Sequence, residues 1–321
     1  MRAACLEMVH ELARRDARVI YIGSDLGTGT LDAMKREMPD RFFMEGVSEA
    51  NMIGMAAGLA MDGYIPYVHT IGTFITRRAY EQVAVDLCLH DLPVRLIGNG
   101  GGLVYAPLGP THMSVEDIAT MRALPGMAIV APADADEMRA IMTRTIDHEG
   151  PLYIRLAKGH DPIVTPPDPA VEIGRAKLLR QPGEVLFVGT GVMTGAALEA
   201  AEQLEAVGIN AGVLHMHTVK PLDGEALLDL APGVWLIVSI EEHSRVGGLG
   251  SAIAELLMDN NQGTPPPRLL RLGLPDKFIS EYGSQDFLLE CYGLDPASIV
   301  AQTRDALESG PLAFELQASA G

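Results

Sequence analysis

Glu49 stands at the head of GVSEANMIGMAAGLA (residues 46–60), and no charge follows it until Asp62. A carboxylate at the edge of a Met-, Ala- and Gly-rich run raises a chemical question, because burying one is costly unless it has a partner. Paired with a ligand, such a group serves as a proton holder. It could equally complement the dipole at a helix start, with Ser48 as the cap. The loop GGGLVYAPLGPTH (100–112) directly follows an apolar strand. Three glycines, a tyrosine and a Pro-Thr-His exit at the carboxyl end of a parallel strand make a ligand-binding position in open α/β sheets. His112 is there a candidate hydrogen-bond donor or proton carrier, with helix capping as its plain alternative.

Weaker signals lie further on. GTGVMTG (189–195) has the place of a dinucleotide turn, but its G-x-G-x-x-x-G spacing is one residue too long. GGLG (247–250) opens a helix and could face a phosphate or simply pack closely on the sheet. His215 and His217 alternate on a strand, and without a third ligand nearby metal binding is a minor reading.

These residues must be positioned by alternating strands and helices. ARVIYIG (17–23), YIPYVHT (64–70), PVRLIGN (93–99) and PLYIRL (151–156) read as buried strands, with helices expected over 48–61, 74–89, 113–124 and 134–147. Short apolar strands separated by helices indicate a parallel sheet covered on both faces. Pro162, Pro166, Pro167 and Pro169 then interrupt the pattern, which resumes at EVLFVGT (184–190) and ends at RLLRLG (268–273). Proline runs cannot continue a helix or central strand. The expectation is two α/β domains, residues 1–160 and 172–321, joined by a linker over 161–171.

Composition narrows the partners. The formal net charge of −18, with no compensating basic run, argues against nucleic acid and membrane surfaces. No apolar leader or membrane-span-length run is present, and the three cysteines are odd in number and widely spaced. A reducing cytoplasm is expected.

Taken together, these segments resemble the transketolase family of thiamine-diphosphate enzymes. RFFMEGVSEANMIGMAAGLA (41–60) is similar to the family's segment with the catalytic glutamate, here Glu49. TFITRRAYEQV (73–83) is similar to its aromatic segment, with Phe74 stacking on the aminopyrimidine ring and Tyr80 nearby. GPTHMSVEDIATMRALPGMAIVAPAD (109–134) matches its G-P-T-H loop, while TVKPLD (218–223) and EEHSRVGGLGSAIAEL (241–256) match its C-terminal domain. The fold implied is a pyrimidine-binding domain followed by a transketolase C-terminal domain. The resemblance also implies that Glu49 hydrogen-bonds the pyrimidine nitrogen, so that the ring's own amino group acts as the base. The small-residue helix is then expected to let the backbone pack close to sheet and ring.

The G-D-G motif through which the family holds Mg²⁺ and the diphosphate is missing. The resemblance therefore implies the C-terminal subunit of a split transketolase. An N-terminal partner subunit would carry the diphosphate and Mg²⁺ site, in an α2β2 assembly paired through the pyrimidine domains. Asp25 is expected near that shared site. Three departures bear on substrate. Leu108 replaces an acid that reads a sugar hydroxyl, Gly100 a sugar- and phosphate-contacting histidine, and Lys158 a phosphate-binding arginine. His112 and Lys158 are the expected contacts to an anionic ketose. Rival readings are a 1-deoxyxylulose-5-phosphate synthase-like or 2-oxo-acid dehydrogenase E1 β-type subunit, or a non-catalytic assembly subunit.

Overall fold

The computed structural model describes residues 1–26, 29–157, 159, 161–168, 170–260 and 266–309. Twelve strands run β1 Val19–Gly23, β2 Phe42–Met44, β3 Ile65–Ile71, β4 Arg95–Asn99, β5 Ala128–Val130, β6 Leu152–Leu156, β7 Lys177–Arg180, β8 Val185–Gly189, β9 Ala211–His215, β10 Thr218–Lys220, β11 Leu236–Ser244 and β12 Arg268–Leu274. They form two sheets, ordered β10-β5-β6-β4-β3-β1-β2 and β12-β11-β8-β9-β7. All pairings are parallel except β10 with β5 and β7 with β9. Strands β1, β3, β4 and β6 are buried throughout, as the unbroken apolar runs require when helices cover both faces. The expected mixed, mostly parallel α/β architecture in two parts is what the chain adopts.

The chain differs from expectation where tertiary contacts override local pattern. The helix expected over 74–89 is a π-turn at Phe74–Arg78, a short α-turn at Tyr80–Gln82 and a second π-turn at Val83–Cys88. The helix expected over 113–124 shrinks to Asp117–Arg122, because Ser114 exchanges backbone hydrogen bonds with Gly102 while the Met113 amide donates to the Gly109 carbonyl. Helix Ala135–Thr145 starts where Asp134 caps it, accepting from the amides of Asp136 and Glu137.

Two strands were not anticipated, β7 at the edge of the second sheet and β10. Residues 218–220 cross from the second half and pair antiparallel with β5, finishing the edge of the first sheet. Val219 is thereby buried in one continuous apolar cluster with Ile129, Leu186, Leu214 and Ile253. Burying a valine of this kind contributes about 1.5–3 kcal/mol. The proline-rich segment is also tied down: the amides of Val164 and Thr165 and the Thr165 hydroxyl all donate to Asp134 Oδ2. Among the described residues no helix is long and apolar enough to cross a membrane.

Candidate active site

Glu49 is the first residue of helix Glu49–Met61, and its carboxylate is 2% exposed. Ser48 does not cap this helix through its side chain; its hydroxyl donates instead to Glu45 O at 2.9 Å. Glu49 Oε2 accepts from Arg78 Nη1 at 2.9 Å. Its other oxygen accepts no hydrogen bond among the described residues. The helix face toward the core carries Met52, Ile53, Ala56, Ala57 and Ala60. Gly54 and Gly58 do not let it approach the sheet: both are exposed, and a Cβ on either would meet nothing within 4 Å. The glycines lie outward because helical spacing puts the alanines and Ile53 inward.

Phe74 sits half-buried at the start of the π-turn that carries Arg78. The Arg78 guanidinium lies 4.3 Å from the Phe74 ring centre, and the His112 ring meets Phe74 edge-on at 5.4 Å. Glu49, Arg78, Phe74 and His112 therefore form one contiguous cluster. His112 Nδ1 is 2.8 Å from the Thr111 hydroxyl. The glycine loop owes its shape to side chains pressed against it. Gly100 has φ of +78°, and a Cβ there would lie 2.1 Å from the Tyr105 ring. Tyr105 fills the space a larger residue at 100 would need; its hydroxyl accepts from Asn99 at 2.6 Å, and its ring lies 6.5 Å from His112. Leu108 ends the 3-10 turn Ala106–Leu108 and is half exposed.

Other expected residues fall outside this cluster. The Tyr80 hydroxyl donates to the Thr120 carbonyl at 3.1 Å and its ring packs on the core, which gives it a structural tie. Asp25 is exposed beyond β1 and accepts from the Ser24 hydroxyl at 3.2 Å. Lys158 lies outside the described residues. The GGLG helix start does not await a phosphate. Buried Glu241 accepts from the Leu249 and Gly250 amides at 2.7 and 2.9 Å. His215 is spent between the Thr194 hydroxyl and Glu137, at 2.6 and 2.7 Å. Among the described residues no group of His, Cys, Asp and Glu could hold a metal.

Two family models match, the transketolase pyrimidine-binding domain over residues 1–162 and the transketolase C-terminal domain over residues 174–299. The chain belongs to the transketolase family. This transketolase-family chain is 39% identical over 309 residues to the 6-deoxy-6-sulfo-D-fructose transketolase subunit SqwH of Clostridium sp. strain MSTE9, covering 96% of this chain and 94% of that one. It is 37% identical over 307 residues to 1-deoxy-D-xylulose-5-phosphate synthase of Gloeobacter violaceus, covering 94% of this chain but 47% of the synthase. A solved split-gene transketolase, described as an inactive beta4 tetramer, superposes with a TM-score of 0.86 at 37% identity. That match covers 96% of this chain and 97% of the other.

Within the transketolase fold, a second cluster that sequence reading missed braces the glycine loop. Arg155 Nε donates to Asp117 Oδ2 at 2.7 Å, and its Nη2 donates to the carbonyls of Ser114 and Glu242 at 3.2 and 3.0 Å. Burial works against both ions. Their mutual attraction nonetheless keeps the Asp117 carboxyl below, and Arg155 above, its ordinary value. Glu242 Oε1 accepts from the Leu103 amide and Gln285, both at 2.8 Å. Burial pushes the Glu242 carboxyl up to about 7, against the opposing pull of Arg155. Arg78 was missed for a different reason. Nothing in R-R-A-Y-E-Q tells which arginine reaches Glu49: Arg78 does, while Arg77 pairs with Glu116.

The cluster suits the family's cofactor. A buried carboxylate with one oxygen to spare beside a half-open aromatic face matches an aminopyrimidine, which brings a ring nitrogen and a flat apolar surface.

Proposed function

We propose that this chain is the pyrimidine-binding and C-terminal subunit of a split, thiamine-diphosphate-dependent transketolase. It moves a two-carbon ketol unit from an anionic ketose to an aldose. The observation that carries the reading is the buried Glu49 carboxylate beside Phe74 and His112. When bound, thiamine diphosphate supplies the nucleophilic carbon and electron sink for breaking a carbon–carbon bond. Glu49 holds a proton at the pyrimidine nitrogen, in a site dry enough that the proton is shared with the ligand rather than with water. Phe74 orients the ring, and His112 hydrogen-bonds substrate oxygens. Leu108 leaves the donor's hydroxyl unread on that side, which suits a donor other than the common pentose phosphates. The sulfonated ketose named for the Clostridium relative is one anionic class to try first.

A separate chain would bring Mg²⁺ and the diphosphate ligands, since nothing among the described residues offers them. Self-pairing through the pyrimidine domain to α2β2 is supported by the outward glycines 54 and 58, with Met61 and Leu89 exposed at 58% and 73%. Three unpaired cysteines suit a cytoplasmic setting. The synthase relatives support a second reading, pyruvate-consuming synthase chemistry, in which case this chain spans about half the length of those relatives. A non-catalytic assembly subunit is the third.

Calorimetric titration of thiamine diphosphate and Mg²⁺ into the chain alone and into its complex with the co-expressed N-terminal subunit tests this. Binding by the complex only, followed by ketol transfer that Glu49→Gln abolishes with assembly intact, is the expected result. Pyruvate decarboxylation would replace it with the synthase reading. Binding by neither would leave the assembly role.

A further inference from the structure

The same side chain holds both groups that a pyrimidine ring would need. Arg78 bonds the Glu49 carboxylate at 2.9 Å while its guanidinium, 4.3 Å from the ring centre, covers a face of Phe74. A guanidinium is flat, like the ring that would take its place. We propose that Arg78 is a placeholder: in the chain by itself it occupies the pyrimidine seat, and it must leave Phe74 and Glu49 for the ring to enter. This rests on the thiamine reading above and adds to it a competition between the protein's own cation and the cofactor.

The two partners differ in freedom. The Glu49 side chain is 2% exposed at a helix start, whereas Arg78 is 48% exposed on a long stem. Arg78 can withdraw into water at little cost, but Glu49 cannot. The exchange leaves no buried charge unpaired at either end: Glu49 has the arginine when the seat is empty and the ring nitrogen when it is full. It also makes the seat selective. A flat ligand that stacks on Phe74 without satisfying Glu49 would strip the carboxylate of its partner, and such ligands are refused. Apparent affinity for the right ring is lowered by the fraction of molecules in which the arginine is seated.

The test uses the full-length chain and the probe 4-amino-5-hydroxymethyl-2-methylpyrimidine, titrated by NMR up to millimolar concentration, where contacts too weak for the calorimetric titration above are still read, into wild type, Arg78→Gln, Arg78→Lys and Glu49→Gln. Circular dichroism checks that each variant is folded. Arg78→Gln is expected to bind about tenfold tighter than wild type, the worth of one displaced cation–π contact and an ion pair open to water on the arginine side only. Arg78→Lys, charged but not planar, should fall between. The Arg78 Nε–H resonance should move toward a free, rapidly exchanging guanidinium as wild type saturates. Equal or weaker binding by both Arg78 variants, with binding still lost in Glu49→Gln, overturns the placeholder and leaves the seat standing. Binding by no variant, or binding indifferent to Glu49→Gln, overturns both.

Discussion

Removing the Asp117 carboxylate should be among the most damaging single changes available in the first domain. Asp117 is fully buried, and the Arg155 side chain that it pairs with is 7% exposed. In Asp117→Ala the guanidinium keeps only the carbonyls of Ser114 and Glu242, and the Tyr153 hydroxyl loses its acceptor, now 2.9 Å away. Stranding one partner of a buried ion pair costs about 3–5 kcal/mol, and the orphaned hydroxyl adds roughly 1. Arg155→Met should cost a similar amount, because it strands the aspartate. The double variant Asp117→Ala/Arg155→Met strands neither ion and should cost far less than the sum. Urea unfolding followed by circular dichroism gives the three values. The reasoning fails if Asp117→Ala costs under about 1 kcal/mol, or if the two single costs add within about 0.5 kcal/mol.

Glu242 makes stability depend on pH in a definite direction. Burial raises its carboxyl from an ordinary value near 4.5 to about 7, so the folded chain binds the proton more tightly than the unfolded one. Its contribution is full below about 4.5 and is lost as pH rises through about 7. Glu242→Gln keeps the Oε1 acceptor and should flatten this fall; melting temperatures from pH 5 to 8 that keep the wild-type slope would contradict the assignment. Gly102→Ala should cost at least ~1–3 kcal/mol in the same unfolding assay. Its φ is +71° and the new Cβ would lie 2.4 Å from the Glu242 carboxyl. Gly58→Ala, in open space on a helix, should instead stabilise by roughly 0.5–1 kcal/mol. Leu108→Asp should shift donor preference toward hydroxyl-bearing ketoses by about 2- to 10-fold in kcat/KM, one hydrogen bond's worth; unchanged ratios among donors would remove Leu108 from the substrate reading.

The parallel strands were readable because a strand buried on both faces shows as an unbroken apolar run, as in VIYIG and RLIGN. Glu49, Phe74 and His112 were singled out from chemistry and resemblance, and the fold brings those three together. Arg78 was out of reach because a π-turn changes which side chain of the segment comes beside Glu49, and no period in the sequence announces it. Tyr105 was seen only as a loop tyrosine, since its packing on Gly100 depends on a positive φ five residues earlier. The Asp117–Arg155 pair lies 38 residues apart, and assigning one to a helix and the other to a strand does not show that they meet. Residues 218–220 are too short for a strand to be recognised, and their pairing strand lies almost ninety positions away.

That borrowed strand changes what the proline segment is for. With β10 stitched into the first sheet and Val219 in the common cluster, the two halves hold each other by more than the bonds that the joining peptide makes to Asp134 and Lys177. The covalent connection then serves as a tether that sets a local concentration, in the millimolar range typical of short links, rather than as a hinge. A protease that cut between residues 161 and 168 would yield two fragments on a denaturing gel and a single species on a sizing column. The halves would come apart only when the β5–β10 seam itself was melted.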